Sequence, residues 1–124
     1  MGEEVDSGAA VQVIFPGNRY AQFAVGFNAM TTQNAEIIGT DGILRIDKPW
    51  NNSDVAATLE HETFDEKKSI RFDPFLQYTC QLEHLCDCPS TSQPYRIPLR
   101  EGVDQMRALD AVNESMATGH VVDL

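Results

Sequence analysis

Residues 73–124 read DPFLQYTCQLEHLCDCPSTSQPYRIPLREGVDQMRALDAVNESMATGHVVDL, and this stretch is the most informative part of the sequence. Its first part places apolar residues at three- and four-residue steps, a spacing that predicts one apolar face on a helix. These residues are Phe75, Tyr78, Leu82, Leu85 and Cys86. Asp73-Pro74 predicts the helix start, because Asp can cap a helix and Pro is favoured at its first position. Pro89 and the Ser/Thr cluster after it predict the end.

A second helix is predicted over about residues 99–118. Its buried stripe consists of Val103, Met106, Leu109, Val112 and Met116. Gly119 predicts the end of this helix, since glycine readily takes the left-handed conformation that closes a helix. The terminal residues Val121–Leu124 are short and β-prone, and are compatible with an added edge strand.

The first two thirds of the chain predict about six strands joined by tight turns. The PGNR turn at 16–19 separates two apolar stretches, because Pro16 fixes φ and Gly17 tolerates a positive φ. Asp41-Gly42 predicts a hairpin between AEIIGT and ILRID. The segment 65–67 predicts another hairpin between VAATLEHETF and KSIRFD. Strands first and helices last predict an α+β fold: a largely antiparallel open sheet of about six strands, with two C-terminal helices on one face.

Several predicted strands are apolar on both faces. Val11, Val13 and Phe15 share one face and Ile14 lies on the other, and Ile37 and Ile38 likewise lie on opposite faces. An antiparallel sheet with one face in water should instead alternate apolar and polar residues. Two helices cover only one face, so we expect a homo-oligomer that pairs through the other sheet face.

Length and composition indicate one domain over residues 1–124. The formal net charge is −10, which argues against nucleic-acid binding because phosphates are bound by Lys and Arg. The chain has no apolar run long enough to cross a membrane and no secretory leader pattern. Three cysteines are an odd number for a disulfide framework. These features together predict a cytoplasmic protein.

Four residues with metal-ligand chemistry, Cys80, His84, Cys86 and Cys88, lie within nine positions. On a helix, residues 80, 84 and 88 share a side while Cys86 points away, so a tetrahedral zinc site would require breaking the helix. Ordinary half-buried cysteines are the preferred interpretation, and no metal site is predicted.

The sequence contains no catalytic constellation that we can assign. His61 is predicted on a strand, facing away from the flanking Glu60 and Glu62. His120 follows a helix end, where a cation is favoured by the helix dipole. There is no nucleophile elbow, phosphate loop or Gly-rich dinucleotide fingerprint.

The order and spacing of several segments resemble the second domain of the glucose-fructose oxidoreductase / inositol dehydrogenase (Gfo/Idh/MocA) family. The C-terminal segments are Gln77–Thr79, Gln81–Leu85, Gly102–Arg107, Leu109–Val112 with Glu114-Ser115, and Thr118–Val122. Upstream, Val5–Ala10 resembles the start of that domain's second strand, and Ala35–Leu44 resembles its central hairpin. The resemblance covers nearly the whole chain.

The resemblance implies an NAD(P)-dependent oxidoreductase acting on a sugar, polyol or similar small molecule. In that family a Rossmann domain and a Glu-Lys-Pro segment with a catalytic lysine come first, so here both would lie upstream of Met1. Asp47-Lys48-Pro49 imitates the lysine motif but ends a sheet strand, and no catalytic role is transferred to Lys48. We therefore expect this chain alone to bind neither NAD nor NADP and to be inactive.

The resemblance also places the start of the first helix near a substrate cleft, and Gln77 and Tyr78 are the predicted substrate-binding residues. Tyr78 is equally explained as a core residue on the apolar stripe. Trp50 is either a ligand platform or a loop anchor. Two functions stay open at this point: the substrate-binding and oligomerisation domain of a longer oxidoreductase, and a stand-alone, non-enzymatic oligomerisation or small-molecule binding module.

Overall fold

The structure is a computed structural model and describes residues 7–124. The strands are β1 Gly8–Phe15, β2 Arg19–Gly26, β3 Asn34–Ile38, β4 Gly42–Asp47, β5 Ala57–Thr63 and β6 Lys67–Phe72, and the helices are α1 Gln77–Thr91 and α2 Leu99–Thr118. Strands followed by helices, with every strand pair antiparallel, confirm the predicted α+β class. The start of the resemblance, Val5 and Asp6, lies outside the described residues.

The strands form two sheets, where the sequence predicted one open sheet. One sheet pairs β1 with β2, and the other has the order β3-β4-β5-β6. The described chain divides into two compact units: residues 7–30 together with Tyr95–Leu124, and Thr31–Pro94. The first unit therefore holds β1, β2 and α2, and the second holds the four-stranded sheet and α1. The connection between β2 and β3 carries no strand, so it marks the boundary between the sheets.

The predicted turn between β1 and β2 is confirmed. Gly17 has φ 80° and Asn18 has φ 57°, both in the left-handed region that Gly and Asn tolerate best. The Arg19 side chain closes the turn, with Nε donating to Pro16 O at 3.0 Å. In the resulting register Val11 pairs with Phe23, and this apolar face lies opposite the exposed Ile14.

The boundaries of α1 differ from those predicted. The helix begins at Gln77 after an extended Leu76 that offers no side-chain cap, so Asp73-Pro74 is not its start. Pro89 lies inside the helix, which ends only at Ser92 with φ 55°. A proline removes one helical hydrogen bond. The hydroxyls of Ser90 and Thr91 donate to Asp87 O at 2.9 and 2.8 Å, which supports the last turn.

Helix α2 spans the predicted residues. Gly119 ends it with φ 70°, and its N–H donates to Ser115 O at 2.8 Å. The terminal residues Val121–Leu124 form no strand in the part of the chain that the structure describes. Neither described helix is long and apolar enough to cross a membrane.

The four-stranded sheet has one apolar face and one charged face, because side chains alternate along each strand. The apolar face carries Ala35, Ile37, Leu44, Ile46, Leu59, Ile70 and Phe72, together with His61 and Lys68. The charged face carries Glu36, Arg45, Asp47, Glu60, Glu62, Lys67 and Arg71, together with Ile38 and Ile43. Ala57 is the one hydrophobic residue among residues 7–124 that is buried, and Ile37 and Ile38 are exposed on the two faces.

Candidate functional site

One end of the four-stranded sheet gathers the loops that lead toward α1. Because the strands are antiparallel, β3 begins where β4 ends, and β5 begins where β6 ends. The register pairs Asn34 with Asp47 and Ala57 with Phe72 at this end. We call the residues that leave it, Gln33, 48–56 and 73–76, the loop end.

The side chain of Gln33 holds the first part of the loop end by its backbone. Its Oε1 accepts hydrogen bonds from the N–H groups of Trp50 at 3.2 Å and Asn51 at 3.0 Å. Its Nε2 donates to Asn51 O at 2.8 Å. The backbone carbonyl of Gln33 also accepts from Lys48 N at 3.2 Å. One residue therefore fixes three positions of a loop that lies 15 or more residues further along the chain.

Single hydrogen bonds hold further residues at the loop end. The Asp47 carboxylate accepts the Thr58 N–H. Lys48 has φ 51°, a conformation that costs a non-glycine residue roughly 1–2 kcal/mol and here turns the chain out of β4. Asn52 is 4% exposed, and its Nδ2 donates to Asp73 O at 3.3 Å. This last bond joins the loop to the connection that enters α1.

The predicted substrate-binding residues lie just beyond that connection. Gln77 is half-buried and Tyr78 is 73% exposed in the first turn of α1. An exposed tyrosine presents an apolar ring and a hydroxyl to whatever docks there. Other apolar residues of this helix, such as Leu82, are similarly exposed, so both interpretations of Tyr78 stay predictions.

Trp50 and Lys48 differ clearly in exposure within this loop. Trp50 is 66% exposed, and the contacts that hold its loop are made by backbone atoms and by Gln33. The loop is therefore anchored by Gln33, a residue that the sequence did not single out. Lys48 is half-buried beside it and forms no ion pair with residues 7–124.

A shallow hollow of about 440 Å³ adjoins the loop end. It is lined by Asn34, Ala35, Glu36, Arg45, Ile46 and Asp47. Asn34 follows Gln33 in the chain, and Asp47 precedes Lys48. The hollow therefore continues from the clamped loop onto the last paired residues of β3 and β4.

Arg45 is the charge centre of this hollow. Its Nη1 lies 2.6 Å from Glu62 Oε2, and its Nε lies 2.7 Å from Glu36 Oε2. The hydrogen bond with Glu62, followed by that with Glu36, raises the pKa of Arg45 above its ordinary value. The guanidinium is thus a permanent cation held across three strands, with its orientation fixed by two carboxylates.

The cysteine and histidine cluster on α1 comes together only as a pair. Cys88 Sγ lies 3.8 Å from His84 Nε2, one helical turn away. No group of three or more His, Cys, Asp or Glu side chains in residues 7–124 is placed to hold a metal ion. His120 is engaged at the end of α2, where its Nδ1 lies 2.7 Å from Thr118 O.

His61 lies on the apolar sheet face, opposite Leu44 and Lys68. Its neighbours in sequence, Glu60 and Glu62, lie on the charged face. The prediction that His61 faces away from both carboxylates is therefore confirmed by the register, and the three residues form no acid–base group.

Comparison with known proteins identifies the class. The model for "Oxidoreductase family, C-terminal alpha/beta domain", the second domain of Gfo/Idh/MocA proteins, matches residues 1–124. The chain belongs to the Gfo/Idh/MocA oxidoreductase family. It is also 30% identical over 122 residues, 98% of its length, to D-xylose 1-dehydrogenase (NADP(+)) 2 of Haloferax volcanii. The chain spans 34% of the length of that relative. No solved structure matches it significantly.

Proposed function

We propose that the chain is the substrate-binding and oligomerisation domain of an NAD(P)-dependent oxidoreductase acting on a sugar, polyol or similar small molecule. The observation that carries the proposal is the family match over residues 1–124. The similarity to a D-xylose dehydrogenase over nearly the whole chain supports a sugar as the substrate class. The protein would act in sugar metabolism in the cytoplasm.

The nicotinamide cofactor would be held by a Rossmann domain that partners this chain. Dinucleotide sites use a Gly-rich turn that opens into a helix N-terminus, where the pyrophosphate is bound. The described helices begin after Leu76 and after Pro98, and neither junction contains a Gly-rich turn. These residues do not fit the cofactor, so we assign no catalytic residue and no cofactor contact to this chain.

The loop end and the first turn of α1 would form this domain's side of the substrate cleft. Gln77 offers an amide donor and acceptor, and Tyr78 offers a hydroxyl on an apolar ring. Binding sites for small molecules combine apolar surface with a few fixed polar groups. Gln77 and Tyr78 would therefore bind and orient the substrate, while the hydride transfer takes place on the partnering domain.

The oligomer contact would be made by a sheet face. Ile37 is 61% exposed on the apolar face of the four-stranded sheet, and Ile38 is 71% exposed on the charged face. Monomeric proteins rarely leave apolar patches beyond a few hundred Å² in water. A second copy that covers one of these faces would remove that exposure, and a specific interface buries at least about 1,000 Å² in total.

The test is an assay of the whole protein that contains this chain. Purified enzyme is mixed with NAD or NADP and a panel of aldoses and polyols, and formation of the reduced nicotinamide is followed. We expect turnover of at least one sugar or polyol. Calorimetric titration of the 124-residue chain with both cofactors should show no saturable binding. Cofactor binding by this chain alone would contradict the assignment, and a whole protein that binds sugars without turnover would be a non-enzymatic binding module.

A further inference from the structure

Trp50 is presented to solvent by a loop whose backbone is already fixed. It is the one tryptophan of the chain, and about two thirds of it is exposed. Gln33 binds the backbone N–H of Trp50 and both backbone polar groups of Asn51, but none of these bonds uses the indole. A ligand that meets the ring therefore meets a loop that is ordered beforehand, which reduces the entropy lost on binding.

The hollow next to this loop supplies polar groups that suit a polyhydroxylated ligand. Its volume of about 440 Å³ lies within the range of small-molecule sites. The guanidinium of Arg45 carries more N–H donors than its two ion pairs use. Asp47 uses one carboxylate oxygen for the Thr58 N–H, so its other oxygen is available as an acceptor.

An exposed aromatic ring on a loop that follows such donors and acceptors in the chain suits the chemistry of a cyclic sugar. One face of a sugar ring exposes C–H groups and packs on an aromatic plane, while the hydroxyl groups around the rim need donors and acceptors. Trp50 would provide the plane, and Asn34, Arg45 and Asp47 of the hollow would provide the polar partners. The Trp50 backbone is bonded to Gln33, which precedes Asn34, and Trp50 follows Asp47 by three residues. Tryptophan is suited to this role because it offers a large rigid surface with little conformational entropy to lose.

We propose that Trp50 is a stacking platform for a cyclic sugar at the loop end, and that Gln33 is the positioning residue that holds it there. This inference rests on the proposed function, because it names the surface with which the same domain would bind its sugar. It also distinguishes cyclic sugars, which have a flat C–H face, from open-chain polyols, which do not.

The single tryptophan makes the platform directly observable. Tryptophan emission of the 124-residue chain is recorded during titration with D-xylose and D-glucose, and with sorbitol as the open-chain control. We expect a saturable change with at least one cyclic sugar, at a Kd of about 1 mM, and little change with sorbitol. Equal responses to all three compounds, or no response to either cyclic sugar, would overturn the proposal.

The Gln33→Ala variant tests the positioning role while Trp50 is retained. The apparent Kd for the responding sugar should rise several-fold, and the emission anisotropy of Trp50 should fall because the loop is released. Gln22→Ala, which removes a glutamine with one exposed side-chain bond in the other unit, is the matched control and should change neither quantity. Unchanged sugar affinity in Gln33→Ala would show that the clamp serves loop structure alone.

A kinetic comparison separates this inference from the proposed function. In the whole enzyme, Trp50→Ala should raise KM for the cyclic substrate several-fold, with a smaller effect on kcat. A wild-type enzyme that turns over sugars while Trp50→Ala keeps the same KM would overturn the platform and leave the proposed function standing. An enzyme that shows no turnover, but whose tryptophan emission still responds to cyclic sugars, would support the platform and overturn the proposed function. Emission that changes on dilution, without sugar, would assign Trp50 to a contact between copies and overturn the proposal.

Discussion

Gln33 and Asn51 are joined by two hydrogen bonds that run in opposite directions. Gln33 Nε2 donates to Asn51 O at 2.8 Å, and Asn51 N donates to Gln33 Oε1 at 3.0 Å. The amide side chain thus pairs with a backbone segment in the way that a neighbouring strand would. This pairing fixes the loop between β4 and β5, although the loop itself has no regular structure.

Removal of the Gln33 side chain should destabilise the second unit modestly. Each hydrogen bond contributes about 0.5–1.5 kcal/mol net, and solvent-exposed bonds lie at the low end. We therefore expect Gln33→Ala to lower the free energy of unfolding by about 1–2 kcal/mol, measured by urea titration. Gln22→Ala loses one exposed bond to Gln12 and should lower it by under about 0.5 kcal/mol. Equal losses in the two variants would contradict the clamp.

Gly42 is required by the close approach of β4 to β5. A Cβ at this position would lie 2.5 Å from Glu62 O, a backbone atom that cannot move without separating the strands. We expect Gly42→Ala to lower the free energy of unfolding by about 1–3 kcal/mol, as overpacking does.

Two other glycines give matched controls for Gly42→Ala. A Cβ at Gly39, in the same hairpin, would make an ordinary contact of 3.5 Å with Gly42 O. A Cβ at Gly102, inside α2, would meet nothing within 4 Å. Gly39→Ala should be nearly neutral, and Gly102→Ala should stabilise α2 by about 0.5–1 kcal/mol. Thermal unfolding followed by circular dichroism ranks the three variants, and a neutral Gly42→Ala would show that the strand spacing is not tight.

Arg45 holds three strands together through charge, so its replacement should weaken the sheet in a salt-dependent way. Arg45→Met removes both ion pairs, and Arg45→Lys keeps the charge but lacks the planar fork that reaches Glu36 and Glu62 together. We expect the urea midpoint to fall in the order wild type, Arg45→Lys, Arg45→Met. The three side chains are partly exposed, so added salt should narrow these differences.

The pH dependence of the Arg45 contribution follows from the direction of its pKa shift. The pKa of Arg45 is raised, mainly by the hydrogen bond with Glu62 and then by that with Glu36. A raised pKa means that the folded state holds the proton more tightly, so the contribution is complete below the ordinary arginine pKa and is lost only above it. The gap between wild type and Arg45→Met should therefore not change between neutral and mildly alkaline pH. A gap that closes over that interval would contradict the assigned charge state.

Some features of this fold could be predicted from short stretches of sequence, and others could not. Gly119 was predictable because a helix end depends on the residue at the turn itself. Asp41-Gly42 correctly indicated the hairpin between β3 and β4, although Gly42 is the first residue of β4 and has no positive φ. The start of α1 was not predictable, because residues 73–76 are not helical and the helix follows Leu76, which offers no side-chain cap. The separation into two sheets depends on strand pairing across the whole chain, which periodicity does not encode.

The residues of the candidate site likewise divide into those that the sequence predicted and those that it did not. Gln77 and Tyr78 were identified through the family resemblance, and the structure adds their burial and exposure. The role of Gln33 could not be predicted from the sequence. Its side chain bonds to backbone atoms 17 and 18 residues away, and such bonds leave no pattern of residue types. The role of Arg45 likewise depends on a register that brings Glu36 and Glu62 to the same face.

Zinc is not expected to bind α1 at stoichiometric levels. His84 and Cys88 form a pair one helical turn apart, whereas a structural zinc site needs four ligands. Metal analysis of the purified and dialysed chain should give far less than one zinc per chain. Cys88→Ser should leave both the metal content and the thermal midpoint nearly unchanged. Zinc that survives dialysis and disappears in Cys88→Ser would show that further ligands join the pair.

Self-association through one face of the four-stranded sheet is the remaining expectation, and Ile37 and Ile38 test its two faces separately. They are neighbours in β3 with similar exposure, but Ile37 lies with Leu44 and Ile38 lies with Ile43 on opposite faces. A lysine on the paired face would place a charge in the interface and should dissociate the oligomer, because an unpaired charge is costly to bury. We therefore expect sedimentation equilibrium of the 124-residue chain to show an oligomer at tens of micromolar. One of Ile37→Lys and Ile38→Lys should convert it to a monomer, and the other should retain the oligomer. Wild-type chain that is monomeric at every concentration, or an oligomer that neither lysine disrupts, would place the contact elsewhere than on this sheet.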